Sequence, residues 1–321
     1  MGARRGHGAC AIDDQHMIVL GGDDPGTHKP TNDGWIYNIE TKHWMELPNP
    51  MPAALTRFGI CCIQGKHVYV VGGRRSRRRV DSVYRLSLKT FKWHRMSHMS
   101  TARDGCAVVI VGTTIYAFGG IDENGRKLSS AERYSIQCNT WTFSPPMSFP
   151  RDGHFAAAFD NGDIYIMGDY GGDRSVEVFD TQQKRYRGGS KSLVLPSTVS
   201  LAAAVAIWDR FLIIVGGEGR SDGGAGSLIY DRKYHRWIDM NIAVSAHMNV
   251  SRGFHSAAVL DGGNRIVVAG GRDQGHSLRY MESVGVMDLL YCSGLLGGDD
   301  EDEDDTGTLS SSDVECCRCW F

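Results

Sequence analysis

The chain has 321 residues, 41% of them hydrophobic, with 40 glycines, nine prolines and a formal net charge of −2. This is enough apolar material for a large core, and it excludes collagen-like and disordered compositions. No apolar stretch approaches the ~20 residues needed to span a bilayer, and the N-terminal MGARRGHGAC lacks the apolar run of a secretory signal. A soluble intracellular protein is expected, cytoplasmic or nuclear, with its nine cysteines reduced rather than paired.

In chain order, the first expected strand is MIVLGG (17–22), a short apolar run stopped by two glycines. Nearly the same run returns as VYVVGG (68–73), IYAFGG (115–120), IYIMGD (164–169), LIIVGG (212–217) and IVVAGG (266–271). The glycine pairs begin at positions 21, 72, 119, 168, 216 and 270. A period of about 50 residues indicates a solenoid or a propeller.

More than the glycines recurs. About a third of a repeat ahead of a glycine pair stands an arginine (Arg4, Arg57, Arg103, Arg151 and Arg252), followed by a small-residue apolar run such as CAVVIV (106–111). Beyond each pair, a polar loop leads to a strand ending in an apolar or aromatic residue, with a second aromatic seven positions later. These are Tyr37 and Trp44, Leu86 and Trp93, Tyr134 and Trp141, Phe179 and Tyr186, and Tyr230 and Trp237. Each unit therefore holds four short strands, a to d. Strands a and b read as continuous apolar runs, as expected where both faces are buried, and the spaced aromatics should fill the gaps between neighbouring units.

This pattern of Arg, Gly-Gly, Tyr and Trp resembles the kelch repeat over roughly residues 4 to 294. The resemblance implies an all-β fold, a six-bladed propeller with four antiparallel strands per blade. The repeats run approximately 4–50, 51–98, 99–147, 148–196, 197–247 and 248–294, so the propeller fills 1–294 and leaves 295–321 as an acidic, disordered tail. Three copies depart from the pattern: Gly168-Asp169 replaces Gly-Gly, Ser200 stands where arginine is expected, and Met287 and Gly294 replace the last aromatic pair. No strand is on offer from the N-terminus to complete blade six, so VMDLLYC (286–292) must close it unless further sequence precedes the chain.

In such a blade the b–c and d–a loops share one end of the ring, and loops on a rigid scaffold are where binding concentrates. Arg57, Arg103, Arg151 and Arg252 fall on that rim, with Asp23, Asp24, Arg126, Asp169, Tyr170, Glu218, Arg220, Arg272 and Asp273 from the b–c loops. Arginines around a concave mouth can fork onto carboxylates or phosphates; equally, a repeated arginine can simply bond loop carbonyls of its own blade. The sharpest feature is RRSRRR, placing Arg74, Arg75, Arg77, Arg78 and Arg79 in one b–c loop. It reads as a docking patch for an acidic protein or peptide, as an import or RNA-contacting cluster, or as a solvated loop. With no aromatic between Arg74 and Val83 to stack on bases, nucleic acid is the weaker of the two ligand readings.

The tail carries nine acids, seven of them unbroken from Asp299 to Asp305, against one base, which leaves 34 basic and 28 acidic residues in 1–294. Residues 299–305 are expected to reach the Arg74 to Arg79 loop and compete with an acidic ligand. The final CCRCWF fits neither a prenylation box nor a zinc site. His7, His154 and His255 recur in register after a repeat arginine, which marks them as architectural; no metal, cofactor or catalytic residue is expected. The resulting expectation is a non-catalytic protein-interaction module, serving as a scaffold or a ubiquitin-ligase substrate adaptor. No segment is left over to be the BTB or F-box domain that an adaptor usually carries. The alternative is a sugar-converting or metal-dependent enzyme working in the propeller mouth.

Overall fold

The computed structural model describes residues 1–63, 65–187, 193–219, 227–238, 252–273 and 284–288. Five four-stranded antiparallel sheets follow one another along the chain, each in the spatial order a-b-c-d. Blade 1 is Gly8–Ala11, His16–Leu20, Gly34–Asn38 and Trp44–Glu46; blade 2 is Gly59–Ile63, His67–Val71, Val83–Ser87 and Trp93–Met96. Blade 3 is Ala107–Val111, Thr114–Phe118, Ala131–Ser135 and Thr140–Ser144; blade 4 is Phe155–Ala158, Asp163–Met167, Val176–Asp180 and Arg185–Tyr186. Blade 5 is Ala203–Ile207, Phe211–Val215, Ser227–Asp231 and Arg236–Ile238. The sixth sheet has three strands among the described residues, Ser256–Leu260, Arg265–Ala269 and Val284–Asp288. The expected four strands per blade are thus present in five sheets. Arg220 and residues 289–321, with Gly294 and the acidic tail, lie outside the described residues.

The core lies between the blades. Six separate apolar clusters fill the six seams, and one of them joins Met17, Val19 and Tyr37 of blade 1 to Leu260, Val267 and Ala269 of the sixth sheet. Side chains of a strand alternate between faces, so Ile18 and Leu20 point into the next seam while Met17 and Val19 point into the previous one. Every b strand is therefore buried on both sides, which is why it reads as an unbroken apolar run.

Each expected aromatic pair is a cross-strand pair of strands c and d, as in Tyr37 opposite Trp44 and Tyr230 opposite Trp237. Ring centroids are 4.9 to 5.2 Å apart in the four all-aromatic pairs, close enough for direct ring contact. The indole donors also tie neighbouring blades together. Trp93 Nε1 donates to the Asn49 carbonyl at 3.1 Å and Trp141 Nε1 to that of Ser97 at 2.9 Å.

Among the described residues the ring closes without a borrowed strand: blade 1 supplies all four of its own and packs directly against the sixth sheet. An inner hoop of backbone bonds runs through five of the six seams, all but that between blades 3 and 4. Arg57 N–H donates to Gly6, Gly105 to Arg57, Leu201 to Gly153, Phe254 to Leu201 and Gly6 to Phe254, at 2.6 to 3.2 Å. The six residues that hold this position, one per blade, all have left-handed φ between 55° and 66°. Three are glycines (Gly6, Gly105, Gly153), for which that conformation costs nothing. Arg57, Leu201 and Phe254 are held there despite a penalty of about 1–2 kcal/mol each, and their side chains are thrown across the mouth.

Candidate functional site

The hoop also fixes the register of the repeat arginines. The second residue of each glycine pair donates its N–H to one carbonyl of the following blade, and the acceptors are Leu55, Arg103, Arg151, Val199, Arg252 and, closing the ring, Arg4. Arg4, Arg103, Arg151 and Arg252 are therefore equivalent, whereas Arg57 is not; it stands two residues on, in the hoop. Leu55 holds the arginine position in blade 2, and Val199, not Ser200, holds it in blade 5. The sequence did carry a signal, since Arg57 stands nearer to its glycine pair than any of the other four arginines stands to its own.

The four equivalent arginines are internal braces. Their Nη1 atoms donate to the carbonyls of Gly21, Gly119, Gly168 and Gly270 at 2.9 to 3.2 Å, each within its own blade. Arg103 and Arg151 are fully buried, and Arg252 is 3% exposed. Arg103 Nη2 meets Glu132 at 2.8 Å, where neither side chain has any exposure. The Glu132 carboxylate also accepts the backbone N–H groups of Ser100 and Thr101. Blade 4 repeats the design with Arg151, Glu177 and the N–H of Ser148. In blade 1, Arg4 pairs with Asp33, whose carboxyl is drawn down to about 2: burial opposes ionisation, but hydrogen bonds from Arg4, Thr31 and Trp35 outweigh it.

Blades 2 and 5 have lost every part of this brace together. The arginine is Leu55 or Val199, and the acid is Tyr84 or Leu228 by strand register. The residue three before the arginine position, whose N–H the acid would accept, is Pro52 or Pro196. Proline has no N–H to satisfy, so an apolar pair can replace a buried ion pair with one fewer donor left to meet.

At the mouth, Arg57 reaches across from blade 2 to blade 4, where its Nη2 donates to Asp152 Oδ1 at 2.8 Å. Glycine beneath it leaves room for the pair as it stands: a Cβ at Gly105 would lie 2.8 Å from both of those atoms. Asp104, fully buried, faces three arginines, with Arg79 Nε at 3.2 Å and Arg57 and Arg74 Nε at 3.9 Å. Lys127 clasps Asp169 at 2.9 Å. Burial pushes the Asp152 and Asp23 carboxyls up, against the pull of neighbouring cations. For Asp169 burial acts the same way but is outweighed by the N–H of Asp152 and by Lys127, so its carboxyl is held down. The opposite side of the mouth is apolar and aromatic, with Leu201 beside Phe254. The guanidiniums of Arg5 and Arg272 lie over the Phe254 ring, 5.8 and 5.4 Å from its centroid, and Arg272 also pairs with Glu218 at 2.7 Å. The depression between the two sides holds about 170 Å³, small beside the roughly 300–1,000 Å³ typical of small-molecule pockets.

The RRSRRR segment is an ordered β-hairpin. Arg74 pairs with Arg79 and Arg75 with Arg78 across a turn in which Ser76 takes φ 55°. Its base is held by the contacts of Arg74 and Arg79 with Asp104, while Arg75, Arg77 and Arg78 at the tip are exposed. Arg78 approaches Glu123 at 3.7 Å, with 83% of its side chain accessible. The ten arginines singled out by sequence thus fall into three groups. Arg103, Arg151 and Arg252 are braces; Arg57, Arg74, Arg79 and Arg272 form ion pairs around the mouth; and Arg75, Arg77 and Arg78 face solvent. Sequence reading missed Asp104, Asp152 and Lys127, although the two acids directly follow repeat arginines.

His7, His154 and His255 sit in the seams. His154 and His255 each bond through Nε2 to a carbonyl of the preceding blade, that of Phe118 at 3.0 Å and of Val215 at 2.9 Å. Burial, reinforced by the adjacent Arg4, Arg151 or Arg252, lowers all three imidazoles to about 3, so they are neutral at physiological pH. Among the described residues, no group of three or more His, Cys, Asp or Glu could hold a metal ion, and no helix is long and apolar enough to cross a membrane.

Stacked four-stranded blades, paired glycines closing each b strand and cross-strand aromatics in the seams define a kelch-type β-propeller. Residues 1–102 and 65–271 match the KLHDC2/KLHL20/DRC7 Kelch-repeats domain, and the chain belongs to the kelch-repeat family. It is 32% identical to the F-box/kelch-repeat protein At1g67480 of Arabidopsis thaliana over 155 residues, covering 46% of this chain and 41% of that protein. It is 27% identical to human Kelch-like protein 38 over 268 residues (80% and 42%) and 26% identical to Kelch-like protein terF of Aspergillus terreus over 296 residues (83% and 62%). The chain therefore spans about two fifths to three fifths of the length of these relatives.

Proposed function

We propose that the chain is a protein-interaction propeller filling residues 1–294, which binds an acidic protein segment inside the cell at the face formed by the b–c and d–a loops. The observation that carries this reading is the arginine hairpin. Asp104 anchors its base through Arg74 and Arg79, so Arg75, Arg77 and Arg78 stand exposed on a rigid mount. A preordered cationic fork loses less conformational freedom on meeting carboxylates than a mobile loop would. The ion pairs of Arg57 and Arg272 form the rest of the recognition ring, and the shallow mouth has room for one inserted side chain. In this reading residues 299–305 of the acidic tail compete for the same arginines. Likeness to an F-box/kelch-repeat protein supports a role in presenting a substrate to a ubiquitin ligase, with scaffolding as the simpler form of the same activity.

The test is binding of a fluorescent acidic peptide, seven alternating Asp and Glu residues, to the full chain. Changing Arg75, Arg77 and Arg78 together to Ala should weaken binding at least tenfold at low salt and flatten its salt dependence. Neutralising the acids of 299–305 to Asn and Gln should tighten it several-fold. Equal affinity in the triple variant removes the hairpin from the site, and an unchanged affinity after neutralisation removes the tail. Tighter binding of a single-stranded RNA of equal charge would replace the protein partner by nucleic acid.

A further inference from the structure

We propose that Cys10 and Cys62 form an oxidisable dithiol that can lock blade 1 to blade 2 by a disulfide across their seam. The a strands Gly8–Ala11 and Gly59–Ile63 lie side by side and leave the mouth in the same direction, and a Cβ built on Gly8 would sit 3.1 Å from the Cβ of Ile60. Two residues farther along each strand, on the same faces, Cys10 comes opposite Cys62. Their thiols are within hydrogen-bonding reach, and both pack against the same apolar cluster in the seam between blades 1 and 2. Both are free and half-buried. Cys61 points the other way into the seam with blade 3, Cys106 is buried, and Cys138 is exposed. Among the described cysteines, this pair alone combines facing strands with a thiol–thiol contact.

The chemistry is a two-electron oxidation by a peroxide. The Cys62 thiolate attacks one peroxide oxygen, breaking the O–O bond and releasing hydroxide, which takes up the proton lost by Cys62 to give water. The resulting sulfenic acid is then attacked by the sulfur of Cys10. The S–S bond forms, the S–O bond breaks, and the departing hydroxide takes the Cys10 proton to leave a second water. The Cys10 S–H donates to Cys62 and, with burial, is held protonated, which leaves the first attack on the peroxide to Cys62. The cross-link would join residues a whole blade apart in sequence, which constrains the unfolded chain.

The experiment treats the native full chain with hydrogen peroxide, blocks remaining thiols with iodoacetamide and maps tryptic peptides without reduction. The expected product joins 6–42 to 58–66 with the loss of two hydrogens, and fragmentation places the bond on Cys62 rather than Cys61. Oxidation should raise Tm by several degrees in the wild type and in Cys61→Ser, and by nothing in Cys10→Ser or Cys62→Ser. The proposal is overturned if Cys138 is oxidised while no 6–42/58–66 species forms, or if the link persists in Cys62→Ser. The peptide map of the wild-type chain decides the matter even if a variant does not fold.

Discussion

Replacing Arg103 with alanine is expected to destabilise the propeller by about 3–5 kcal/mol, the usual cost of leaving one half of a buried ion pair without its partner. Glu132 would keep the N–H groups of Ser100 and Thr101 but lose its cation at a position with no solvent exposure. Urea unfolding monitored by tryptophan fluorescence measures the loss. A companion variant makes the result specific. Blade 5 places Pro196, Val199 and Leu228 where blade 3 places Ser100, Arg103 and Glu132. The triple change Ser100→Pro, Arg103→Val and Glu132→Leu should therefore recover more than half of what Arg103→Ala loses. If the triple variant is no more stable than the single one, the apolar brace is not portable between blades.

Lowering the pH from 7 to 5 is expected to remove about 6 kcal/mol of stability through His7, His154 and His255. Each imidazole lies near 3 in the folded protein and near 6.5 in the unfolded chain. Below 6.5 the unfolded state takes up protons that the folded state refuses. The contribution is thus complete above 6.5 and is lost as the pH falls toward 3, at about 1.4 kcal/mol per histidine per pH unit. The other three blades carry Phe58, Cys106 and Ala202 at this position. Changing His154 to Cys, following blade 3, should remove about a third of the pH dependence. A Tm that stays level between pH 7 and 5 would mean that the seams admit charged imidazoles after all.

The ring was legible because its constraints are local. Paired glycines are needed where a Cβ would strike the next blade or its own, as at Gly120, whose added Cβ would lie 2.6 Å from the Asp104 carbonyl at φ 91°. The aromatics keep a seven-residue offset because strands c and d are joined by a turn of fixed length. What pairs across blades was not legible. Arg57 meets Asp152 from 95 residues away and Lys127 meets Asp169 from 42, and no periodicity in one sequence connects such positions. The hairpin was hidden for a different reason. RRSRRR has no Gly or Asn to announce a turn, and Ser76 takes the left-handed conformation that those residues usually supply.

The backbone hoop around the mouth bears on where the chain could be cut. The link from Gly6 to Phe254 joins the two ends of the propeller sequence, yet it is made by the same kind of bond as the links between consecutive blades. Sequence neighbours and sequence strangers are thus held alike. A circular permutant, with its ends moved into an outer a–b or c–d turn, would interrupt no link of the hoop. Its closure should be as secure as that of the parent chain, and which blade comes first along the gene is, for the finished ring, arbitrary.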